Sequence, residues 1–319
     1  MASQNEARSV GCGGAHVHQQ YSPLVNDSTS WSRKLAARVI AHRAFDGIIP
    51  RYINRLEQHP ESRPIAAPGK APSVLCLHGF TGVPDEVRLG CEVAQSLGLA
   101  TSAPLLPGHG TSALDLARTR FSDWLAVAQT AFDELRAQGP VVVVGLSMGS
   151  LLATELTLRA PGDVAALVLM SNAFWLKAPH TVWGLYGAEA LGLKRVQIAK
   201  NGADIGDPAA KQSHVTYSAQ PLSGALEVLR AGERLRERLS DIHRPTLILH
   251  GARDRVCPVD NAWRAAERLG TSNVRVVLFP RSHHIITRDR EHPRVRAELE
   301  RFLRELPEVQ AALGIRTDV

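Results

Sequence analysis

The chain has 319 residues, of which 44% are hydrophobic and 21% are charged, a composition typical of a globular protein. Its net charge is +6, but no basic run interleaved with aromatic residues accompanies that charge, so we expect a solvated basic surface rather than a nucleic-acid-binding face. The four cysteines form no CxxC pair or disulfide framework, and no apolar stretch approaches the roughly 18 residues of a membrane span, so the cytoplasm is the expected compartment.

Residues 1–69 are predicted to be an N-terminal extension of the main domain. The extension begins with a polar, Gly- and Ser-rich stretch that is typical of a disordered segment and contains no apolar core of a secretory signal. Residues 31–55 then place apolar side chains on one helical face and basic ones outside it. Such a helix usually packs on its own domain, and peripheral contact with an anionic membrane is the alternative. Four prolines between Pro60 and Pro72 indicate a linker.

From Ser73 onward, apolar strands alternate with helical segments, which predicts a mostly parallel sheet flanked by helices. The predicted strands begin at Ser73, Leu99, Val141, Val164, Leu247 and Val274. The predicted helices are one capped by Asp85 and ending at Leu97, one capped by Ser122 and spanning Asp123–Arg136, one spanning Met148–Leu158 and one spanning Leu226–Arg238. The alternation stops at 173–240, so this segment is expected to be an inserted cap between two core segments, 70–172 and 241–306, with 307–319 as a tail.

The most informative motif is Gly145-Leu146-Ser147-Met148-Gly149, which lies between a β-branched strand and a helix rich in Leu and Ala. The two glycines fit a strained turn at which neighbouring backbones approach closely. Asp254 and the pair His283-His284 each follow a later strand. Ligands bind at the carboxyl ends of strands in open α/β sheets, so these side chains are expected to meet there.

A serine, an aspartate and a histidine together can carry out nucleophilic catalysis. The hydroxyl of Ser147 attacks once a histidine removes its proton, and that histidine needs a carboxylate on its other ring nitrogen. Asp254 fits the role of that carboxylate. Two adjacent histidines are candidates for the base.

These motifs resemble those of the α/β-hydrolase-fold serine esterases, and the closest likeness is to bacterial carboxylesterases and monoacylglycerol lipases. The matching segments lie between about residues 70 and 306 and read LCLHGFTG, PLLPGHG, GLSMG, HGARDRVCP and SHHIITRD. The resemblance implies an α/β-hydrolase fold with an inserted cap. It implies Ser147 as nucleophile, Asp254 as triad acid and His284 as base, with His283 at a variable position. It also implies an oxyanion hole formed by the backbone N–H groups of Phe80 and Met148.

The expected activity is hydrolysis of a small-molecule carboxylic ester, either a short- or medium-chain acyl ester or a monoacylglycerol, through an acyl-enzyme. A thioesterase, an acyltransferase or a perhydrolase would use the same triad, and a non-catalytic hydrolase-fold binding protein is a further alternative. Phe174, Trp175 and Trp183 are expected to line an apolar acyl pocket beneath the cap. No cofactor is expected, and no metal, because the histidines lack ligand spacing on one helix.

Overall fold

The computed structural model describes residues 59–315, except 177–178, 194–195 and 201. The helix predicted for residues 31–55 therefore lies outside the described residues. Among the helices that are described, none combines the length and the apolar character needed to cross a bilayer.

Strands and helices alternate through the described chain as the sequence predicts. The strands are β1 (Ile65–Ala67), β2 (Lys70–Leu77), β3 (Leu99–Ala103), β4 (Val141–Leu146), β5 (Val164–Met170), β6 (Gln197–Ala199), β7 (Ala219–Pro221), β8 (Thr246–Gly251) and β9 (Val274–Phe279). The helices are α1 (Arg88–Ser96), α2 (Ala113–Leu116), α3 (Phe121–Arg136), α4 (Met148–Arg159), α5 (Pro179–Ala190), α6 (Pro208–Ser213), α7 (Leu222–Arg236), α8 (Asn261–Ala266), α9 (His292–Glu305) and α10 (Pro307–Ala312).

A seven-stranded sheet forms the centre of the part of the chain that is described, in the order β1-β3-β2-β4-β5-β8-β9. β1 is antiparallel to β3, and all the other neighbours in this sheet are parallel. A mostly parallel sheet flanked by helices confirms the predicted fold class.

Strand β4 illustrates why these strands are continuous apolar runs. Val141 and Val143 belong to one hydrophobic cluster, which includes Trp124 of α3. Val142 and Val144 belong to a second cluster, to which α9 contributes. Successive side chains of a strand point to opposite faces, and helices cover both faces of this sheet, so every position must be apolar.

The structure corrects three predictions about the first half of the chain. Asp85 does not cap α1, because α1 begins at Arg88 with Val87 at its N-cap. In the predicted linker Pro60–Pro72, β1 pairs with β3 at the edge of the sheet and β2 already begins at Lys70. An edge strand leaves one side unpaired and tolerates nearby prolines, which explains the error.

Ser122 does not cap α3, because α3 begins at Phe121. Its first turn is closed instead by the Asp123 carboxylate, which accepts the N–H of Arg120 at 2.8 Å.

The chain between β5 and β8 carries three of the helices, α5, α6 and α7, and a small antiparallel sheet of β6 and β7. β5 and β8 nevertheless pair directly, with Leu167 opposite Thr246. The intervening residues are therefore an excursion from the main sheet, at the position where the sequence predicts a cap.

Candidate active site

Ser147 lies at the turn between β4 and α4, with φ 54° and ψ −118°. This backbone conformation is rare for a residue with a side chain and is typical of a strained functional turn. A Cβ added to Gly145 would lie 2.1 Å from the carbonyl oxygen of Gly149, and a Cβ added to Gly149 would lie 2.0 Å from that of Leu77. Both positions therefore require glycine, because the strand, the turn and the helix are in backbone contact.

The structure brings Ser147, His284 and Asp254 together from the ends of β4, β9 and β8. The Oγ atom of Ser147 lies 2.8 Å from Nε2 of His284, and Nδ1 of His284 lies 2.7 Å from Oδ2 of Asp254. An ionised carboxylate only accepts hydrogen bonds, so Nδ1 carries the proton and Nε2 is free to accept from the serine hydroxyl. The side chain of Asp254 is 0% exposed and that of His284 is 10% exposed, so this chain of hydrogen bonds is largely shielded from water.

The electrostatics favour an ionised Asp254 and a basic His284. Burial alone would raise the pKa of Asp254, but the facing charge of His284 and hydrogen bonds from His250 and His284 outweigh it and lower that pKa. Burial alone would lower the pKa of His284, but the charge and hydrogen bond of Asp254 outweigh it and raise that pKa. Asp254 is also held in place by the N–H groups of Val256 and Cys257, each 2.8 Å from its Oδ1.

Sequence analysis missed His250, a buried residue at the end of β8. Its Nε2 lies 3.2 Å from Oδ2 of Asp254. The signal was present in the sequence, because His250 is the first residue of the HGARDRVCP segment that contains the aspartate.

The neighbouring His283 is directed to different partners from those of His284. Its backbone N–H donates to Oδ2 of Asp289 at 2.7 Å, and its Nδ1 lies 3.3 Å from the same oxygen. The ring packs against Gly206, where an added Cβ would lie 2.3 Å from Nδ1. In this arrangement only His284 of the two histidines contacts Ser147.

The two backbone segments expected to form an oxyanion hole lie beside Ser147. Met148 is the first residue of α4, so its N–H has no partner within the helix. A Cβ added to Gly79 would lie 3.4 Å from the Cβ of Ser147, which places the loop containing Phe80 against the nucleophile. The carboxylate of Glu86 fixes this loop by accepting the N–H of Gly79 at 3.0 Å.

Two histidines near these loops, His78 and His109, are both buried. His78 accepts the N–H of Leu106 at 3.2 Å through Nε2 and donates to the carbonyl of Gly79 at 3.0 Å through Nδ1, which joins the two loops. The rings of His78 and His109 meet edge to face, with centroids 4.9 Å apart. Burial lowers the pKa of both imidazoles, which keeps them neutral.

A cavity of about 440 Å³ opens onto Ser147 and His284. Its apolar lining from the region after β5 includes Leu176, Leu185, Ala225 and Val228. Its polar lining includes Thr81, Lys200, Thr216 and Gln220. Pockets of this size hold small organic ligands, and an apolar wall with a few polar groups is their usual composition.

The structure corrects the predicted acyl pocket, because Phe174, Trp175 and Trp183 are not among the described residues that line the cavity. Phe174 is buried in the core, and Trp175 is covered by the guanidinium of Arg264, 4.0 Å from the ring centroid. Trp183 is 76% exposed. Leu185, two residues further along α5, lines the cavity in its place.

Asp254, Cys257 and His284 offer ligand atoms within 4.8 Å of one another, which makes them the candidate metal group among the described residues. Burial, reinforced by the charge of Asp254, raises the pKa of the Cys257 thiol well above its ordinary value and keeps it protonated. A neutral thiol is a poor metal ligand, and the other two side chains are hydrogen-bonded to each other. The arrangement suits proton transfer, and the absence of a metal stays a prediction.

In both sequence and structure, this chain is similar to known hydrolases. The Hydrolase_4 family, described as serine aminopeptidase, S33, matches residues 71–291. A thermostable monoacylglycerol lipase from Bacillus sp. (strain H-257) is 29% identical over 75% of this chain and 94% of its own length. A carboxylesterase from Bacillus subtilis (strain 168) is 24% identical over 76% of this chain and 97% of its own length. A solved structure from work on the metagenome-derived lipolytic enzymes LipS and LipT aligns with a TM-score of 0.71 and 25% identity, over 77% of this chain and 98% of that one.

Proposed function

Because this chain belongs to the Hydrolase_4 family of α/β hydrolases and is an ester-hydrolysing enzyme, we propose that it cleaves carboxylic esters through an acyl-enzyme formed on Ser147. The observation that carries the proposal is the continuous hydrogen-bonded path from Ser147 through His284 to Asp254, at 2.8 and 2.7 Å. The first distance is within the range in which a histidine can take a proton from a serine hydroxyl, and the second is that of a hydrogen bond that orients the imidazole.

In the first half of the reaction, Nε2 of His284 takes the proton of Ser147 as Oγ bonds to the ester carbonyl carbon. The carbonyl oxygen becomes an oxyanion that the N–H groups of Met148 and Phe80 stabilise, and one such donor is typically worth about 10²–10³ in rate. Asp254 stabilises the imidazolium that forms. His284 then gives its proton to the departing alcohol oxygen as the C–O bond breaks, which leaves the acyl group on Ser147.

In the second half, water takes the place of the alcohol. His284 accepts a proton from the water, the water oxygen bonds to the acyl carbon, and the bond to Ser147 Oγ breaks as the proton returns to the serine. The products are the carboxylic acid and the free enzyme. Every proton in the cycle passes through one imidazole, so the reaction needs no cofactor.

We propose a short- or medium-chain acyl ester or a monoacylglycerol as the substrate, with segment 173–240 as the cap over the acyl site. Two observations support this class of substrate. The apolar side chains of Leu176, Leu185 and Val228 line the cavity above Ser147. The relatives include a monoacylglycerol lipase and a carboxylesterase, each matched over most of its own length.

The proposal is tested by replacing Ser147 with Ala. We expect turnover of p-nitrophenyl butyrate to fall by about 10⁶, the loss typical when a triad stops working as a unit. A fluorophosphonate probe should label the wild-type protein at Ser147 and leave Ser147→Ala unlabelled. A p-nitrophenyl ester series from acetate to palmitate, with a monoacylglycerol alongside, then defines the acyl preference.

The two adjacent histidines provide a matched control for this test. His284→Ala should lose nearly as much turnover as Ser147→Ala, whereas His283→Gly should keep most of it, because His283 contacts Asp289 and not the nucleophile. Labelling at Ser150 or Ser171, or a His283→Gly variant that is inactive while His284→Ala still turns over, would contradict the assignment.

A further inference from the structure

The active-site cavity contains a lysine that the proposed reaction does not use. Lys200 follows β6 and lines the same cavity as Ser147 and His284. Its ammonium donates to the hydroxyl oxygens of Thr81 and Thr216, and Thr216 in turn donates to the backbone carbonyl of Thr81 at 3.2 Å. An ammonium has three N–H donors, so one donor remains for a group inside the cavity.

Lys200 carries a charge that its surroundings compensate only in part. Burial lowers its pKa to about 8, against the opposing effect of the Glu86 charge, so the ammonium stays mostly protonated at neutral pH. Within the described residues, no carboxylate oxygen comes within 4.0 Å of Nζ. A desolvated cation with only hydroxyl partners gains strongly from an anionic partner.

The carboxylates nearby are already committed to other donors. Glu86 accepts the N–H of Gly79 through Oε2, and its Oε1 lies 3.1 Å from Nε2 of His214. Asp204 also lines the cavity, and its Oδ2 accepts the backbone N–H groups of Arg255 and His284. The two cations that line the cavity, Lys200 and Arg255, have no such commitment. Arg255 is exposed, and neither side chain has an ion-pair partner among the described residues.

We propose that Lys200 forms a subsite for a carboxylate on the substrate, so that the enzyme prefers esters that carry a negative charge to neutral esters of the same shape. A carboxylate matches one ammonium in charge and can accept its free N–H. A neutral substrate group at this position would leave the charge of Lys200 uncompensated. Arg255 at the exposed part of the lining would attract such a substrate from solution. This inference rests on the proposed function, because it names the class of ester.

The test compares two pairs of esters. In the first pair the charge is on the acyl group: p-nitrophenyl hydrogen succinate against p-nitrophenyl isocaproate, in which a branched alkyl end replaces the carboxylate. In the second pair the charge is on the alcohol: carboxymethyl butanoate against isobutyl butanoate, followed by acid release at constant pH. The measured quantity is the ratio of kcat/KM for the charged ester to that for its neutral partner.

We expect the wild-type protein to favour the charged member of one pair, and that pair locates the subsite on the acyl or the alcohol side. Lys200→Met should lower this ratio by about 10- to 100-fold, the usual range for losing a hydrogen bond to a charged group. Lys211→Met, which removes an equal charge from an exposed position on α6, is the matched control and should leave the ratio within about 2-fold of wild type.

Three results would overturn parts of this account in distinguishable ways. If Lys200→Met lowers kcat/KM equally for charged and neutral esters, Lys200 acts only by holding Thr81 beside the oxyanion loop, and the carboxylate subsite is wrong. A wild-type protein without charge preference in either pair also rules out the subsite while leaving the proposed function intact. A wild-type protein that hydrolyses no ester and leaves Ser147 unlabelled contradicts the proposed function itself.

Discussion

Two regions of this molecule meet at the active-site cavity, and they are built differently. Ser147, Asp254 and His284 follow β4, β8 and β9, parallel strands of one sheet whose ladders fix where the chain leaves it. The lining contributed by segment 173–240 comes instead from helices, loops and a two-stranded sheet outside the main ladder. The sheet therefore positions the three proposed catalytic residues, and segment 173–240, the proposed cap segment, supplies much of the cavity lining beside them.

The two regions also differ in how deeply their side chains are buried and in the contacts that fix them. The side chains of β4 are fully or almost fully buried, whereas α5 in the cap segment leaves Trp183 76% exposed. Part of the cap segment is held by hydrogen bonds to core loops, such as the 2.7 Å bond from the Tyr217 hydroxyl to the carbonyl of Gly108. Changes in the strand-end region should therefore affect turnover or stability, and changes in the cap segment should affect substrate preference.

Among variants that leave Ser147 and His284 in place, the largest effect is expected from Asp254→Asn, which tests the strand-end region. Turnover should fall by about 10⁴, because the amide no longer fixes the His284 tautomer or stabilises its imidazolium.

In the wild type, kcat/KM should rise with pH as His284 loses its proton. The midpoint should lie above the ordinary histidine value of about 6.5, because Asp254 raises this pKa.

The measurement is kcat/KM from about pH 5 to 9 for both proteins. In Asp254→Asn the residual activity should show a lower midpoint than in the wild type, since the charge that favours the imidazolium is gone. An unchanged midpoint would mean that a different group sets the protonation of His284.

A second comparison uses one glycine from each region. A Cβ at Gly149 would collide with the backbone oxygen of Leu77 at 2.0 Å, whereas a Cβ at Gly184 on α5 meets no atom of the described chain within 4 Å. Gly149→Ala should lower the free energy of unfolding by about 3 kcal/mol, because backbone on both sides must shift. Gly184→Ala should be neutral or stabilising by up to about 1 kcal/mol through helix propensity.

Urea unfolding followed by circular dichroism measures both changes against the wild type. Equal stability of Gly149→Ala and wild type would show that the turn relaxes easily, and that the glycine is not required by backbone contact.

The sequence predicted the strand-end region well because its signals are local. The unbroken apolar run that begins at Val164 forms a strand from its predicted first residue, and the glycines of the Ser147 turn indicated the close approach that the structure contains. β1 was missed because its three residues are a strand only through pairing with β3, a partner more than thirty residues away in the chain.

The cavity lining was predicted poorly for a related reason. Apolar and aromatic residues of α5 fall on several of its faces, so no pattern indicates which of Trp183 and Leu185 turns inward. Lys200 carries no local signal either, because its importance comes from desolvation beside Thr81, 119 residues earlier in the chain. Such positions depend on how the cap segment docks, which periodicity does not encode.

The smallest predicted effect tests that docking directly. Leu185→Ala should lower kcat/KM for p-nitrophenyl hexanoate relative to acetate by about 5-fold, because each acyl CH₂ that loses its apolar contact costs about 0.8 kcal/mol. Trp183→Ala removes a larger side chain from the same helix, but the side chain lies outside the cavity lining, so the ratio should stay within about 2-fold of wild type. Leu185 also packs against Leu222 and Leu226, so its loss can loosen the cap segment as well. Such loosening would lower kcat/KM for hexanoate and acetate alike, and only the ratio separates the two effects. A changed ratio in Trp183→Ala with an unchanged one in Leu185→Ala would restore the pocket expected from the sequence and reject the docking of α5 described above.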